Sequence, residues 1–299
     1  MTTLHVVDSL LRMAGTGFFL LVAAMASCNA QSWAWDDGTV PFVVTPKEVV
    51  DRMLRIADVG PGDYLIDLGS GDGRIVIGAA RRGARALGID IDPSLVTLAR
   101  ENARAAGEED RTAFVAKDLF ETDLAAASVI TMNLLPEVNL KLRPRLLALK
   151  PGTRLVSHDW SMGDWEPDET IELRTPEKPV GLGGKSRVHL WIVPADARGR
   201  WIATLPQHGG TWSFDISQEF QATTVSARVG AQTGGRDLRV RATRLRGLEI
   251  RMVITGVVEG KAWNHLFEGT IAGDRIAGEV LVSDGEEKRT YPWTAIRRR

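Results

Sequence analysis

The stretch that decides the fold is YLIDLGSGDGR, residues 64–74. Three apolar residues lead into Asp67, and three alternate glycines follow it before a second apolar run begins. This order is typical of a buried strand, a tight turn that brings the backbone close to a ligand, and a helix that starts at the turn. Because the amides at a helix N-terminus have no intrahelical partner, the turn predicts a ligand site.

The residues that follow the turn alternate between predicted strands and helices. Strands are expected at 85–89, 112–116, 128–132 and 154–157, and a closing hairpin pair at 170–173 and 187–193. This rhythm predicts an α/β fold in which residues 45–194 form a doubly wound, seven-stranded, Rossmann-like sheet. Ligands bind at the carboxyl edge of such a sheet, so the residues that end its strands are candidates for a site.

Two helices of this region carry start signals. A helix over 47–57 is expected to begin with a capping box, in which the side chains of Thr45 and Glu48 each bind a free amide. Asp92 before Pro93 is expected to cap a second helix, with Leu98 among its inward residues.

The pattern changes near residue 201. Short alternating runs are separated by glycine-rich turns, and no helical period remains. Seven or eight strands at this spacing predict a small all-β domain over 201–299, either a barrel or a sandwich, joined to the first domain through 194–200.

The N-terminus carries an uncharged run over residues 13–27, followed by Cys28. The run is shorter than the roughly 20 residues of a spanning helix. It predicts a signal peptide or a lipid or membrane anchor over 1–30, followed by a linker over 31–44. The protein is therefore expected to be membrane-associated through residues 13–28 or exported, with the cytoplasmic face of the membrane as the alternative.

Composition limits the classes of function. The chain has 299 residues and a formal net charge of -1, which argues against a generally basic nucleic-acid binder. Its single cysteine rules out an intrachain disulfide and a cysteine-rich metal site. No metal is expected, and the sequence gives no indication of the oligomeric state.

Two kinds of ligand fit a glycine turn after a first parallel strand. A dinucleotide fingerprint requires G-x-G-x-x-G, but Arg74 stands where the third glycine would be. The Asp67 carboxylate would also repel a pyrophosphate. A cationic ligand is therefore favoured, and a nicotinamide-dependent oxidoreductase is the less favoured enzyme class.

Residues 41–193 resemble the class I S-adenosylmethionine-dependent methyltransferases, whose first motif is D-x-G-x-G-x-G. The resemblance implies S-adenosyl-L-methionine as cofactor. Asp90 would accept the ribose hydroxyls, Asp118 would meet the adenine amino group beside Leu119, and Asn133 would line the methyl-transfer site. The implied cofactor-binding residues are Asp67, Gly69, Ser70, Gly71, Gly73, Asp90, Ile91, Asp118, Leu119 and Asn133.

The amino-acid sequences of three short segments resemble one family within this class. PFVVTP at 41–46, DLGSGDGRIV at 67–76 and GIDIDP at 88–93 are similar to the protein-lysine N-methyltransferase family of the ATP synthase c-subunit and adenine nucleotide translocase enzymes and its bacterial relatives. This implies methylation of a protein lysine. A small-molecule amine acceptor is the alternative, and an exported binding protein with a catalytically silent nucleotide fold is the alternative of another class.

Polar residues also follow the fifth predicted strand. His158 and Asp159 are candidates, with Asn133, for the catalytic group, because Asp159 could accept from an ammonium and His158 could act as a base. A buried structural role is the competing interpretation of His158. Trp160 and Trp165 could line an amine pocket through cation–π contacts, although packing is the commoner role of such residues.

Overall fold

A computed structural model of the protein describes residues 43–178, 183–230, 235–258 and 260–298. The predicted leader over 1–30, and all but the last two residues of the predicted linker, lie outside the described residues. None of the described helices combines the length and the apolar character needed to cross a membrane.

Seven strands form one sheet in the order β3-β2-β1-β4-β5-β7-β6, as the alternating pattern predicts. Strands β1 to β5 run parallel, and β7 pairs antiparallel with both β5 and β6. The strands are β1 (Tyr64–Leu68), β2 (Arg85–Asp90), β3 (Thr112–Ala116), β4 (Val129–Met132), β5 (Arg154–His158), β6 (Glu169–Arg174) and β7 (Lys185–Ile192).

Helices cover both faces of this sheet, which confirms the doubly wound prediction. They are α1 (Lys47–Ile56), α2 (Arg74–Ala80), α3 (Pro93–Ala105) and α4 (Pro136–Leu147), with a short 3₁₀ helix at Leu119–Glu121. Apolar residues of α1, α2 and α3 form one core with Leu65, Val129 and Val156. Residues of α4 form another with Ile66 and Ile130. Because side chains alternate along a strand, Asp67 projects on the α1 to α3 face.

The capping box predicted for α1 is wrong. The N-cap residue is Pro46, and no side chain caps the helix. The Thr45 hydroxyl instead accepts a hydrogen bond from the Asn133 side chain, at 3.0 Å, because the helix start packs against the end of β4.

The capping prediction for α3 is confirmed, but its inward face is partly wrong. The Asp92 carboxylate accepts from the Ser94 amide at 2.7 Å. Leu98 is 39% exposed, and Val96 is buried in its place. The buried stripe of α3 follows Val96, Ala99 and Ala103, which are the residues that meet the sheet at helical spacing.

The C-terminal strands close into an eight-stranded antiparallel barrel, which decides between the predicted barrel and sandwich. They are β8 (Gly199–Leu205), β9 (Gly210–Glu219), β10 (Ala222–Val229), β11 (Arg236–Arg246), β12 (Glu249–Val258), β13 (Lys261–Ala272), β14 (Arg275–Ser283) and β15 (Lys288–Arg298). Large aromatic side chains fill the interior, as expected for a barrel of this size. They include Trp201, Trp212, Phe214, Phe267 and Trp293.

The barrel packs against the sheet domain through the connection between β5 and β6. Trp165 is fully buried, stacks on Phe220 of the β9–β10 turn with ring centroids 5.9 Å apart, and donates from Nε1 to the Gln221 side chain at 2.9 Å. Of the two interpretations of Trp165, packing is confirmed and the amine-pocket role is wrong. Its ring is used to attach the barrel, and only Trp160 of the pair is partly exposed.

Candidate active site

The glycine turn adopts a backbone that only glycine tolerates well. Gly69, Gly71 and Gly73 have φ values of 76°, 52° and 83°, in the left-handed region. Space is also short, because a β carbon on Gly69 would lie 2.9 Å from Leu134 Cδ2, and one on Gly73 would lie 2.8 Å from Phe114 Cε1. The turn therefore passes closely between the ends of β1, β3 and β4.

Asp67 lies next to this turn and is 1% exposed. Its Oδ1 accepts from the Thr131 hydroxyl at 2.7 Å, and Thr131 stands directly opposite it in the β1–β4 register. Its Oδ2 has no hydrogen-bond partner among the described residues. Burial raises the pKa of Asp67 to about 7, opposed by the Thr131 hydrogen bond and reinforced by the nearby carboxylates of Asp90 and Asp72. Within the part of the chain that the structure describes, Asp67 is thus a buried acid without a paired cation.

Asp90 ends β2 and holds the turn in place. Its Oδ2 accepts from the Gly71 amide at 2.8 Å, and its Oδ1 accepts from the Asp92 amide at 3.1 Å. Each carboxylate oxygen can accept a second hydrogen bond. The predicted contact with ribose hydroxyls stays a prediction, and the structure adds a role in shaping the turn.

Three further predicted residues lie at the carboxyl ends of β2 and β3, which are neighbours in the sheet. Asp118 is exposed and caps the 3₁₀ helix by accepting from the Phe120 amide at 2.7 Å. Leu119 is partly buried. Ile91 is 72% exposed, so its apolar side chain is available for contact with a ligand. These residues offer an apolar and acidic rim next to Asp90.

Asn133 follows β4 and is held by the segment before α1. Its Nδ2 donates to Thr45 Oγ1 at 3.0 Å and to the Val43 carbonyl at 3.4 Å. The Thr45 carbonyl accepts from Arg74 at 2.7 Å, and Arg74 forms a salt bridge with Asp72 of the turn. Sequence reasoning did not place Thr45, Thr131 or Arg74 in the site. Only alternation along β4 could have indicated Thr131, since it shares the face of Asp67.

His158 ends β5 and Asp159 follows it, and both are buried. The Asp159 carboxylate forms an ion pair with Lys178 and accepts from the Arg187 amide at 3.0 Å. His158 Nε2 lies 3.0 Å from the Ser186 hydroxyl oxygen and 3.2 Å from Lys178 Nζ. Burial lowers the pKa of His158 to about 4, so its ring is neutral at pH 7. Both side chains already have protein partners, and their catalytic roles stay predictions.

The residues at the turn fit S-adenosylmethionine. Two buried polar atoms there, Asp67 Oδ2 and Ser70 Oγ, bond to none of the residues that the structure describes and could contact a ligand. A cationic amino acid group near Asp67 would stabilise the ionised carboxylate, and exposed Ile91 could pack against a base. When bound, the cofactor supplies an activated methyl group on a sulfonium.

The family model described as the ANTKMT methyltransferase domain matches residues 67–169. A protein-lysine N-methyltransferase of Saccharolobus islandicus is 44% identical over 137 residues, which are 45% of this chain and 85% of that enzyme. This match therefore includes most of the archaeal enzyme.

Two mouse enzymes match over a smaller share of their length. The adenine nucleotide translocase lysine N-methyltransferase is 37% identical over 130 residues, and the lysine N-methyltransferase of the ATP synthase c-subunit is 34% identical over 132. These matches cover 43% and 44% of this chain, which spans 56% and 53% of the two enzymes.

A solved structure of an RNA methyltransferase from Salinibacter ruber with S-adenosyl-L-homocysteine is 54% identical, at a TM-score of 0.46. The match covers 52% of this chain and 95% of the other chain.

The family-model match lies within the sheet domain and begins at Asp67, just before the glycine turn. The rival prediction of a nicotinamide-dependent oxidoreductase is wrong, and so is that of a catalytically silent fold. The chain belongs to the protein-lysine N-methyltransferase family and is an S-adenosylmethionine-dependent methyltransferase.

Proposed function

We propose that the enzyme transfers a methyl group to the side-chain amine of a protein lysine. The observation that carries this proposal is the 44% identity to the lysine methyltransferase of Saccharolobus islandicus, across 85% of that enzyme. The two mouse relatives are also named for protein acceptors, so a protein is the first acceptor class to test.

The site chemistry agrees with a free amine rather than a planar nitrogen. Methyltransferases that act on amides or exocyclic amines often carry a proline and an aromatic residue after the asparagine. Here Leu134 and Leu135 follow Asn133, and Leu134 is 5% exposed and contacts the turn. An amine needs only to lose its proton and to be aligned with the methyl group, and alignment alone can supply roughly 7 to 11 kcal/mol.

The residues described above have separate tasks in this proposal. Asp67 and the glycine turn hold the amino acid end of the cofactor, and Asp90, Ile91 and Asp118 hold its nucleoside end. Asn133 limits the reaction space on the side of α1, since its side chain is tied to Thr45. A small-molecule amine remains the alternative acceptor.

The location of the enzyme is a further part of the proposal. Residues 13–28 would associate the protein with a membrane or direct its export. Since S-adenosylmethionine is made in the cytosol, an anchor that leaves the enzyme on the cytoplasmic face fits the activity better than export does. Fractionation of cells with an antibody to the barrel would distinguish the two.

The acceptor is tested with the purified full chain, S-adenosylmethionine labelled at the methyl group, and a membrane-protein extract. We expect label in protein, recovered as methyllysine after acid hydrolysis. The Asp67→Asn variant should lose the signal, and Asp110→Asn, which changes an exposed acid, should retain it. Label found only in small molecules or in added RNA would overturn the protein-lysine proposal.

A further inference from the structure

A buried ammonium group lies at the carboxyl edge of the sheet. The Lys178 side chain is 3% exposed and pairs with the Asp159 carboxylate, whose side chain is 4% exposed. Two further groups complete its surroundings: His158 Nε2 at 3.2 Å from Nζ and Ser186 Oγ at 3.3 Å. We refer to Asp159, His158 and Ser186 as the ammonium cage.

The sheet register places this cage beside the reaction space. Met132 pairs with Ser157, so the next residues along, Asn133 and His158, stand next to each other at the strand ends. Val156 belongs to the core on the α1 to α3 face, and alternation puts the His158 side chain on that same face. Asn133 projects there too, toward Thr45.

The cage is built for a primary ammonium. Asp159 contributes negative charge and takes a left-handed backbone conformation, φ 66°, which is uncommon for a residue other than glycine. The neutral His158 ring and the Ser186 hydroxyl can each accept a hydrogen bond. A buried ammonium is costly without this many partners. The same three groups would serve the side chain of any lysine that entered.

We propose that the ammonium cage is the acceptor-lysine site, and that Lys178 occupies it as an internal substitute until the substrate lysine displaces it. This inference rests on the proposed function. It adds the groups that recognise the acceptor, and it makes the Lys178 side chain an intramolecular competitor of the substrate.

Once the substrate lysine has displaced Lys178 from the ammonium cage, its nitrogen can react with the methyl group. Asp159 accepts one N–H and orients the amine, and the ammonium loses its proton to solvent. The freed lone pair forms a bond to the methyl carbon while the carbon–sulfur bond breaks, and that electron pair stays on sulfur. The products are methyllysine and S-adenosylhomocysteine, and no further reactant is needed.

The competing explanation is that Lys178 only anchors the connection between β6 and β7. Truncation to Lys178→Ala separates the two explanations, because n-propylamine, which has the three carbons and the nitrogen that alanine lacks, can then take the place of the missing part of the side chain. Lys185→Ala is the matched control, since Lys185 is 53% exposed and pairs with Glu172 outside the cage.

Two measurements are made on the full-length variant. Ligand-observed NMR should detect n-propylammonium binding to Lys178→Ala, but not to the Lys185→Ala control or to the Lys178→Ala/Asp159→Asn double variant. Mass spectrometry should then detect N-methylpropylamine when S-adenosylmethionine is added. Binding without methylation would overturn the proposal, because the cage would then lie out of reach of the methyl group.

A second variant covers the case in which Lys178→Ala does not fold. Lys178→Met keeps the volume and removes the charge, so KM for the protein acceptor should fall, by about tenfold if the open state is about a tenth of the population. Adding Asp159→Asn to the Lys178→Met variant should raise KM for the protein acceptor, because Asp159 then no longer binds the substrate ammonium. No effect of Asp159→Asn there would mean that Asp159 serves only Lys178, and it would overturn the proposal.

These outcomes are separable from failure of the proposed function. If wild-type enzyme labels protein lysine but Lys178→Ala binds n-propylammonium without methylating it, the function stands and the cage assignment falls. If the enzyme labels no lysine in any protein, the proposed function fails, and with it the cage as an acceptor site.

Discussion

Two buried aspartates at the same edge of the sheet show how differently one residue type is used. Asp67, near the end of β1, has one neutral partner, Thr131, and one oxygen without a hydrogen-bond partner among the described residues. Asp159, after β5, has a lysine ammonium and a backbone amide. The buried Asp67 carboxylate, which has no paired cation in the described part of the chain, therefore predicts a cationic ligand. The Asp159 carboxylate is already paired with Lys178, so a cationic substrate that binds Asp159 must displace the Lys178 ammonium.

The largest expected difference between the two sites is in stability. Asp159→Asn leaves the Lys178 ammonium buried without its counter-ion, which should cost about 3 to 5 kcal/mol of the free energy of unfolding. Asp67→Asn removes a buried acid whose ionisation is unfavourable in the cofactor-free fold, so it should raise the free energy of unfolding at pH 8. Urea unfolding of both variants without cofactor measures this. Equal losses would mean that the two carboxylates are not used differently.

For cofactor affinity, the substitution at the Asp67 site should have the larger effect and the one at the Asp159–Lys178 site the smaller. Asp67→Asn removes a charged contact to the cationic end of S-adenosylmethionine and should weaken binding by about 1.5 to 3 kcal/mol, which is roughly 10- to 150-fold. Lys178→Met, at the other site, should stay within about twofold, since Lys178 meets the acceptor and not the cofactor. Isothermal titration decides the point, and an unchanged affinity in Asp67→Asn would remove Asp67 from the cofactor site.

The pH dependence of binding sharpens the assignment of Asp67. Its pKa lies near 7 in the free protein, because burial disfavours the charge, and a bound cation should lower it. Binding should therefore release a proton near pH 7, and affinity should fall by up to about tenfold for each pH unit below that. Titration in buffers of different ionisation enthalpy measures the proton release. Asp67→Asn should abolish it.

The raised pKa of Asp67 also predicts how the free energy of unfolding of the cofactor-free protein changes with pH. The folded pKa of Asp67 is raised to about 7, above its unfolded value, so the native state holds its proton more tightly. Stability from this group is fully present below the unfolded pKa of about 4 and is lost as pH rises through the folded pKa. Asp67→Asn should remove this component from a pH series of unfolding curves.

The smallest expected effect lies at the nucleoside end. Ile91→Ser removes apolar surface that is 72% exposed and would be covered by a base, so cofactor affinity should fall by about 1 kcal/mol, roughly fivefold. Val115→Ser is the control, because Val115 is 41% exposed on β3 and has no predicted contact. Similar losses in both variants would argue against a specific contact at Ile91.

The fold was largely predictable because apolar residues repeat at clear strand and helix spacings along the sequence. Alternating runs and glycine turns predicted the sheet, its strand ends and an all-β second domain. Closure of that domain into a barrel was not predictable, because the pairing of β8 with β15 joins segments far apart in sequence. The error at Leu98 arose because several faces of α3 carry apolar residues, and only the sheet decides which face is buried.

The site was predicted in part, and the reason differs from residue to residue. Asp67 and the glycines stand in one short motif, so local spacing was enough. Lys178 was not singled out, because nothing near it in sequence marks it. It meets Asp159 only when the connection between β6 and β7 returns across the end of β5.

The amino-acid sequence alone was enough for the glycine turn, the acid in front of it and hence a cationic cofactor, since backbone conformation and charge are local properties. Packing of the folded chain decided which acid keeps an open oxygen and which is paired, and it turned Trp165 from a possible pocket residue into the attachment of the barrel. Burial and partners depend on which distant segments pack together, and no single stretch of sequence contains that information.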